Sequence, residues 1–206
     1  PGYATVLLWL YLAVVMATMI LVLILDDNLE KNFIKIAVFG AIMVVVNPFP
    51  HPVDESTHFF RVFATACGHP QDQMINQLVG ATVSSNYGTF IENQLDLKHL
   101  IYDFDLWKKP FSRDGLFYAN KYMSSYLPIN HLPAIVGVGI GKLLSLPAFL
   151  VIFLGRAVDY IAYVLIAQYA IKISKYYKSI FFMLALYPMT LFLASSITAD
   201  TLLNAT

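Results

Sequence analysis

The sequence predicts an all-α integral membrane protein, and three observations carry that expectation. Of 206 residues, 58% are apolar and 13% charged, about half the roughly 25% charge of an ordinary soluble domain. The run Tyr3–Leu25 holds no charged residue, and at about 1.5 Å per residue it is long enough to cross a hydrocarbon core of roughly 30 Å. Further apolar runs are closed by prolines or lysines, the punctuation of helices that end at an interface. Thirteen basic residues balance thirteen acidic ones and the mean hydropathy is +0.65, which excludes a disordered tail, a coiled coil and a nucleic-acid binder. A single cysteine, Cys67, allows neither an internal disulfide nor a cysteine-based zinc cluster.

Tyr3–Leu25 is too long for a signal-peptide core and lacks both a basic flank and a small-residue cleavage pattern before Asp26, so it reads as a spanning helix. Phe33–Val46 is a second, shorter span, adequate once Lys35 snorkels to one interface and Phe49 sits at the other. It stops at Asn47-Pro48-Phe49-Pro50, where proline removes donors. Residues 1–46 are thus expected to form two transmembrane helices. Residues 47–131 hold most of the acids and all five histidines, and are expected to form a large, mainly helical outer domain. Helices are predicted there over Glu55–Ala66 and Gln71–Val79, and the aromatic stretch Tyr102–Tyr126 is expected against headgroups.

Within residues 132–146, Pro133–Leu146 is too short to cross and fits an interfacial or re-entrant helix. Residues 147–206 hold two more crossings, Ala148–Ile171 and Ser179–Ile197, and the start of the next outer loop. Arg156 lies two turns into the first of these, with Asp159 three residues on as a same-face partner. Lys172, Lys175 and Lys178 share an acid-free loop, expected on the cytoplasmic side. That orientation puts Asp200 and Asn204 on the outer side, with the 47–131 domain.

The sharpest constellation is Pro50-His51-Pro52-Val53-Asp54-Glu55-Ser56-Thr57-His58-Phe59-Phe60-Arg61. Asp54, His58 and Arg61 stand at i, i+4 and i+7, so one helical face presents a carboxylate, an imidazole and a cation. A plainer reading makes Asp54 a helix cap, Glu55 a partner of the helix dipole, and His58 and Arg61 solvated or bonded to loop carbonyls. Glu55-x-x-His58 is also a unit of di-iron bundles, and only Asp96-x-x-His99 approaches the matching unit it needs. There is no His-Glu-x-x-His, phosphate-cradling glycine loop or nucleophile elbow. His51, His69, His99 and His131 read as loop histidines. Tyr102, Phe104, Trp107, Phe117 and Tyr118 fit sugar stacking and an interface belt equally well.

Asn47-Pro48 through Pro52-x-Asp54-Glu55-x-x-His58-x-x-Arg61, then Ala66-Cys67-Gly68, resembles the signature of the polytopic bacterial family called domain of unknown function 2142. The likeness continues at Tyr126-Leu127-Pro128, Gly141-Lys142-Leu143-Leu144, Leu154-Gly155-Arg156 and Leu186-Tyr187-Pro188-Met189-Thr190. It ends at Ser195-Ser196-Ile197-Thr198-Ala199-Asp200-x-Leu202-Leu203-Asn204. That family is related to GT-C glycosyltransferases, so the resemblance implies GT-C-like transmembrane helices, with this chain as an amino-terminal portion.

The resemblance further implies an inverting, multi-pass cell-membrane glycosyltransferase that draws sugar from a polyprenyl-phosphate donor and passes it to an extracytoplasmic glycan or lipid acceptor among membrane lipids. Asp54 would be the catalytic base, with Glu55 and Asp200 organising the site and Asn204 beside them. A base is needed because a hydroxyl is a poor nucleophile at neutral pH. The departing lipid phosphate needs positive charge, for which Arg61, Arg156 and His58 are the candidates. A divalent metal, Mg or Mn, would take Asp54, Glu55 and Asp200 as ligands. Two other classes stay open: a transporter whose path is marked by Arg156 and Asp159, and a non-catalytic scaffold for envelope polysaccharide assembly.

Overall fold

The computed structural model describes residues 28–50, 54–68, 73–75, 78–84, 115–119 and 128–205. The expected span Tyr3–Leu25, the aromatic positions Tyr102, Phe104 and Trp107, and His51, His69, Asp96 and His99 lie outside the described residues.

Helix α1 runs Leu29–Val46. The Asn28 side chain caps it, its Oδ1 accepting from the Glu30 N–H at 2.9 Å, and Glu30 adds an acid to the positive end of the helix. Helix α2 runs Glu55–Ala66, as the spacing predicts, and buries Phe59, Phe60 and Phe63. Gly68 closes it at a φ of 77°, a backbone conformation that glycine adopts without a Cβ penalty. A 3-10 turn at Pro128–His131 leads into α3, Leu132–Leu143. With 12 residues, α3 extends about 18 Å, too little to cross a bilayer.

Helix α4, Ala148–Ile173, has 26 residues, about 39 Å of helix. Among the described residues it is the one helix long and apolar enough to cross a membrane. Its first half packs with α2 and α3 around Phe49, Phe59, Phe63, Val138 and Ile152. Its second half packs Tyr160, Tyr163, Ala167 and Ile171 against Phe33, Ala37 and Val44 of α1. Ile161, Leu165, Tyr169 and Ile173 recur every fourth residue and are exposed, an apolar stripe turned to the surroundings. Arg156 and Asp159, both fully buried, fall at the seam between the two clusters.

The crossing expected over Ser179–Ile197 is instead two helices, α5 at Lys178–Ala185 and α6 at Pro188–Ala194. Pro188 has no N–H to continue the ladder, and Tyr187 before it is extended, with φ −60° and ψ 131°. The break strips the Ala185 carbonyl of its helical donor, and the Tyr163 hydroxyl donates to it at 2.6 Å. A short helix α7, Asp200–Ala205, follows. At the far end of the bundle Lys178 Nζ pairs with Glu30 at 2.7 Å, so the starts of α1 and α5 lie together.

The outer segment brings a second correction. Where a helix is expected over Gln71–Val79, the described residues are strands: β1 (Gln73–Ile75) pairs antiparallel with β2 (Leu78–Ser84), and β2 pairs antiparallel with β3 (Gly115–Ala119). Val79, Thr82 and Val83 are β-branched and Gly80 weakens a helix. The decisive partner, β3, is too distant along the chain for local spacing to reveal.

Helices α3 and α4 come close at Gly137, where an added Cβ would stand 2.6 Å from the Leu154 carbonyl oxygen and 2.9 Å from the Gly155 Cα. Gly139, two residues on, has nothing within 4 Å. Gly137→Ala is therefore expected to destabilise by about 1–3 kcal/mol through overpacking, while Gly139→Ala is neutral or gains up to about 1 kcal/mol of helix propensity. Thermal unfolding of the two variants in detergent measures this, and the reverse order would contradict the helix contact.

Candidate functional site

The chain punctuation at Asn47-Pro48-Phe49-Pro50 creates the local problem that the site solves. Pro48 cannot donate to the Val44 carbonyl, and the carbonyls of Asn47 and Pro48 lie beyond the helix end. The Arg156 guanidinium meets all three: Nη1 donates to Asn47 O at 2.7 Å and Val44 O at 3.3 Å, and Nη2 to Pro48 O at 2.9 Å. Its remaining N–H groups form a two-pronged pair with Glu55, Nε to Oε1 at 2.7 Å and Nη2 to Oε2 at 2.6 Å. Both side chains are 0% exposed. The Ile197 N–H also donates to Glu55 Oε1, at 3.0 Å, and Asn47 Nδ2 donates to Ser195 Oγ at 2.7 Å. Glu55 is the first residue of α2, where the helix dipole favours an anion, and Arg156 faces the negative end of α1. Phe49 and Phe153 cover the guanidinium at 5.6 and 5.8 Å.

This arrangement corrects three expectations. Arg156 pairs with Glu55 and not with Asp159, because the carboxylate at the start of α2 offers two parallel bonds that a same-helix neighbour cannot. Arg156 is also not a phosphate contact, since all five of its N–H donors are engaged within the protein. The proposed metal set of Asp54, Glu55 and Asp200 does not fit either: Glu55 is committed to Arg156, and among the described residues no group of three His, Cys, Asp or Glu could hold a metal ion.

Asp54, one residue earlier, faces the opposite environment, with its side chain 61% exposed. It stands at the cap position of α2, yet its carboxylate makes no capping hydrogen bond and turns to His58 Nε2 at 3.3 Å. His58 Nδ1 in turn lies 2.9 Å from Nε2 of His131. With His58 donating from Nε2, its Nδ1 is the acceptor and His131 the donor. The result is a chain from a buried imidazole, through a second buried imidazole, to an exposed carboxylate. Burial holds His58 below the ordinary 6.5 of a histidine; the nearby Asp54 and Asp200 carboxylates oppose that shift, and Arg61 adds to it. Asp54 and Asp200 thus act on one imidazole from two helix starts. Arg61 is buried on α2, 5% exposed. For Asn204 the helical backbone alone is described.

The i, i+4 spacing anticipated the Asp54 to His58 contact. His131 was not anticipated, because 73 residues separate it from His58 and no local pattern joins them. Its one local mark is its place immediately before Leu132-Pro133, a helix start. The groove of about 190 Å³ between α1 and α4, lined by Ile34, Ala37, Val38, Ala41, Tyr160 and Ile161 among others, shares no residue with this site.

A helical bundle with an apolar exterior, one membrane-length helix and a polar cluster at one end defines a helical membrane protein. The family DUF2142, described as predicted membrane protein, matches residues 37–206, and the chain belongs to it. No curated protein and no solved structure matches the chain.

The folded state holds His58 neutral below its usual titration range, so the unfolded chain takes up the proton first as pH falls. Stability is therefore full above about pH 6.5 and declines as pH drops below that value towards the lowered folded-state pKa. Unfolding temperature measured from pH 8 to about pH 5 checks this: the wild type should lose stability on the acid side and His58→Gln should lose less. Equal slopes for the two proteins would remove His58 as the cause.

Proposed function

We propose that this protein is a membrane glycosyltransferase that moves a sugar from a polyprenyl-phosphate donor to an extracytoplasmic acceptor hydroxyl, with Asp54 as the general base. The observation that supports this reading most is the contrast within the Asp-Glu pair. Glu55 is locked to Arg156, while Asp54 is exposed, uncommitted to capping, and oriented by a buried imidazole pair. A general base needs such a carboxylate: reachable by substrate, yet held in one rotamer by groups behind it.

In the reaction the acceptor O–H bond breaks as Asp54 takes the proton, and the acceptor oxygen forms its bond to the anomeric carbon. The bond from that carbon to the phosphate oxygen breaks, and the lipid phosphate leaves with the electron pair. Attack opposite the phosphate inverts the anomeric centre, and no sugar-enzyme bond forms. His58 keeps one carboxylate oxygen occupied, so the other faces the acceptor. Asp200, which acts on the same imidazole, lies where it can orient acceptor hydroxyls. Arg61, on the same helix, adds positive charge beside the imidazole. The kinship to GT-C enzymes and the outer placement of the site rest on the family motifs and on the Lys172, Lys175, Lys178 loop. The Glu30 to Lys178 pair puts that loop at the end of the bundle opposite Asp54.

Asp54→Asn in the reconstituted full-length protein is expected to reduce sugar transfer from a polyprenyl-phosphate sugar by about 10²–10⁴-fold, with the unfolding temperature unchanged because the side chain caps nothing and is exposed. Transfer at the wild-type rate would remove Asp54 from the mechanism.

A further inference from the structure

The groove between α1 and α4 has no task in the account above. Its volume is about 190 Å³, and a cavity of about 150 Å³ already holds a molecule the size of benzene. Ile34, Val38 and Ala41 form one wall, and Ile161, Val164 and Leu165 the other. Tyr160 lies between them, its hydroxyl engaged by the Ala37 carbonyl at 2.6 Å, so the lining presents carbon. Gly40 makes room for that ring, because an added Cβ would collide with the Tyr160 hydroxyl. Ile34, Val38, Ile161 and Leu165 are between 40% and 64% exposed, so the groove opens outward along the membrane-length helix.

Both walls run on into basic residues at the same end. On α1, Lys31 stands three residues before Ile34 and Lys35 three before Val38, the spacing of neighbours on one helical face. On α4, Gln168 follows Val164 by four residues and Lys172 follows Gln168 by four. The Lys178 to Glu30 pair ties the start of α1 to the chain just past α4, and Arg156 reaches the Asn47 carbonyl at the other end of α1. The two helices are therefore antiparallel, and both stripes arrive at one end. That end holds Lys31, Lys35, Lys172, Lys175 and Lys178, with Glu30 the single acid among its described residues. Lys31 and Lys172 are exposed. One turn before Lys172, Gln168 Oε1 is buried with no hydrogen-bond partner among the described residues, an acceptor that lacks a donor.

We propose that this groove and its basic mouth bind an anionic diacyl phospholipid of the phosphatidylglycerol type. One acyl chain lies between α1 and α4, the phosphate meets Lys31 and Lys172, and a glycerol hydroxyl of the headgroup donates to Gln168 Oε1. Charge selects this occupant. An excess of lysine is what turns a loop towards the cytoplasm, and the cytoplasmic leaflet carries anionic lipid that basic pockets between helices hold. A second copy docked face to face would set these lysines against their own counterparts. The lining covers about 10 Å of α1, which suits a stretch of acyl chain and not the full length of a packed helix. The site lies at the opposite end of the bundle from Asp54, so the lipid it holds is a structural partner and not a sugar donor.

The test is native mass spectrometry of the full-length protein in a neutral detergent, titrated with palmitoyl-oleoyl phosphatidylglycerol or phosphatidylcholine. Phosphatidylglycerol should bind at least about tenfold more tightly, since each lysine near a headgroup contributes about fivefold. Lys31→Gln and Lys172→Gln should each weaken phosphatidylglycerol binding about fivefold, while Lys175→Gln, in the loop and off both stripes, changes it by less than about twofold. Ala41→Phe fills the groove from an exposed position and should weaken both lipids at least about tenfold, the loss of about two buried methylenes. If Ala41→Phe does not fold, the lysine series alone decides the matter. Equal binding of the two lipids would overturn the site, and so would full phosphatidylglycerol binding by Ala41→Phe, which would leave the groove without a part in it. Equal losses in Lys172→Gln and Lys175→Gln would reduce the effect to bulk charge and overturn it too. A dimer that excludes lipid would do the same, because a second copy would then fill the groove.

Discussion

The buried pair of Arg156 and Glu55 is the interaction on which the rest of the structure depends. It joins the end of α1, the start of α2, the first half of α4 and the 195–200 loop. Burying two charges is costly, and such a pair is favourable only when geometry is good and every remaining donor is met. Here the guanidinium has five contacts for five N–H groups, and Glu55 gains the Ile197 N–H besides. The proline-rich exit from α1 explains why an arginine is required. Three carbonyls need donors at once, and a lysine ammonium, a compact point charge with three donors, cannot meet them and the carboxylate together.

The same pair divides the labour of two adjacent carboxylates. Asp54 and Glu55 differ by one methylene and one position, yet one is 61% exposed and the other 0%. At a helix start, consecutive residues point about 100° apart, so fixing Glu55 inward turns Asp54 outward. The structural carboxylate thereby positions the one available for chemistry. His58 and His131 then restrict Asp54 from behind, and Asp200 enters through the loop that Glu55 holds at Ile197. Rigid supports of this kind are what a proton-accepting carboxylate needs.

Much of this was legible along the chain, for reasons that differ by residue. The helices over Glu55–Ala66 and Ala148–Ile173 follow from apolar patterning and proline punctuation, which are local. The Asp54 to His58 contact follows from helical spacing alone. Arg156 stood out correctly as a buried cation, but spacing offered Asp159 as its partner when the true partner lies 101 residues away. His131 and β3 were missed for the same reason, because tertiary pairing leaves no local trace. The break at Leu186–Tyr187 had its signal in Pro188, yet the apolar content around it read as one continuous span. Hydropathy registers the lipid; it does not register a missing N–H.

The most direct test of the account is a double-mutant cycle on Arg156 and Glu55, using Arg156→Met, Glu55→Gln and the combination, with unfolding free energy as the readout. Each single change leaves a buried charge or a set of carbonyls without its partner, and should cost about 3–5 kcal/mol. The double variant should recover part of that loss, a coupling of at least about 2 kcal/mol. Single losses below about 1 kcal/mol that simply add would contradict the claim that this pair organises the site.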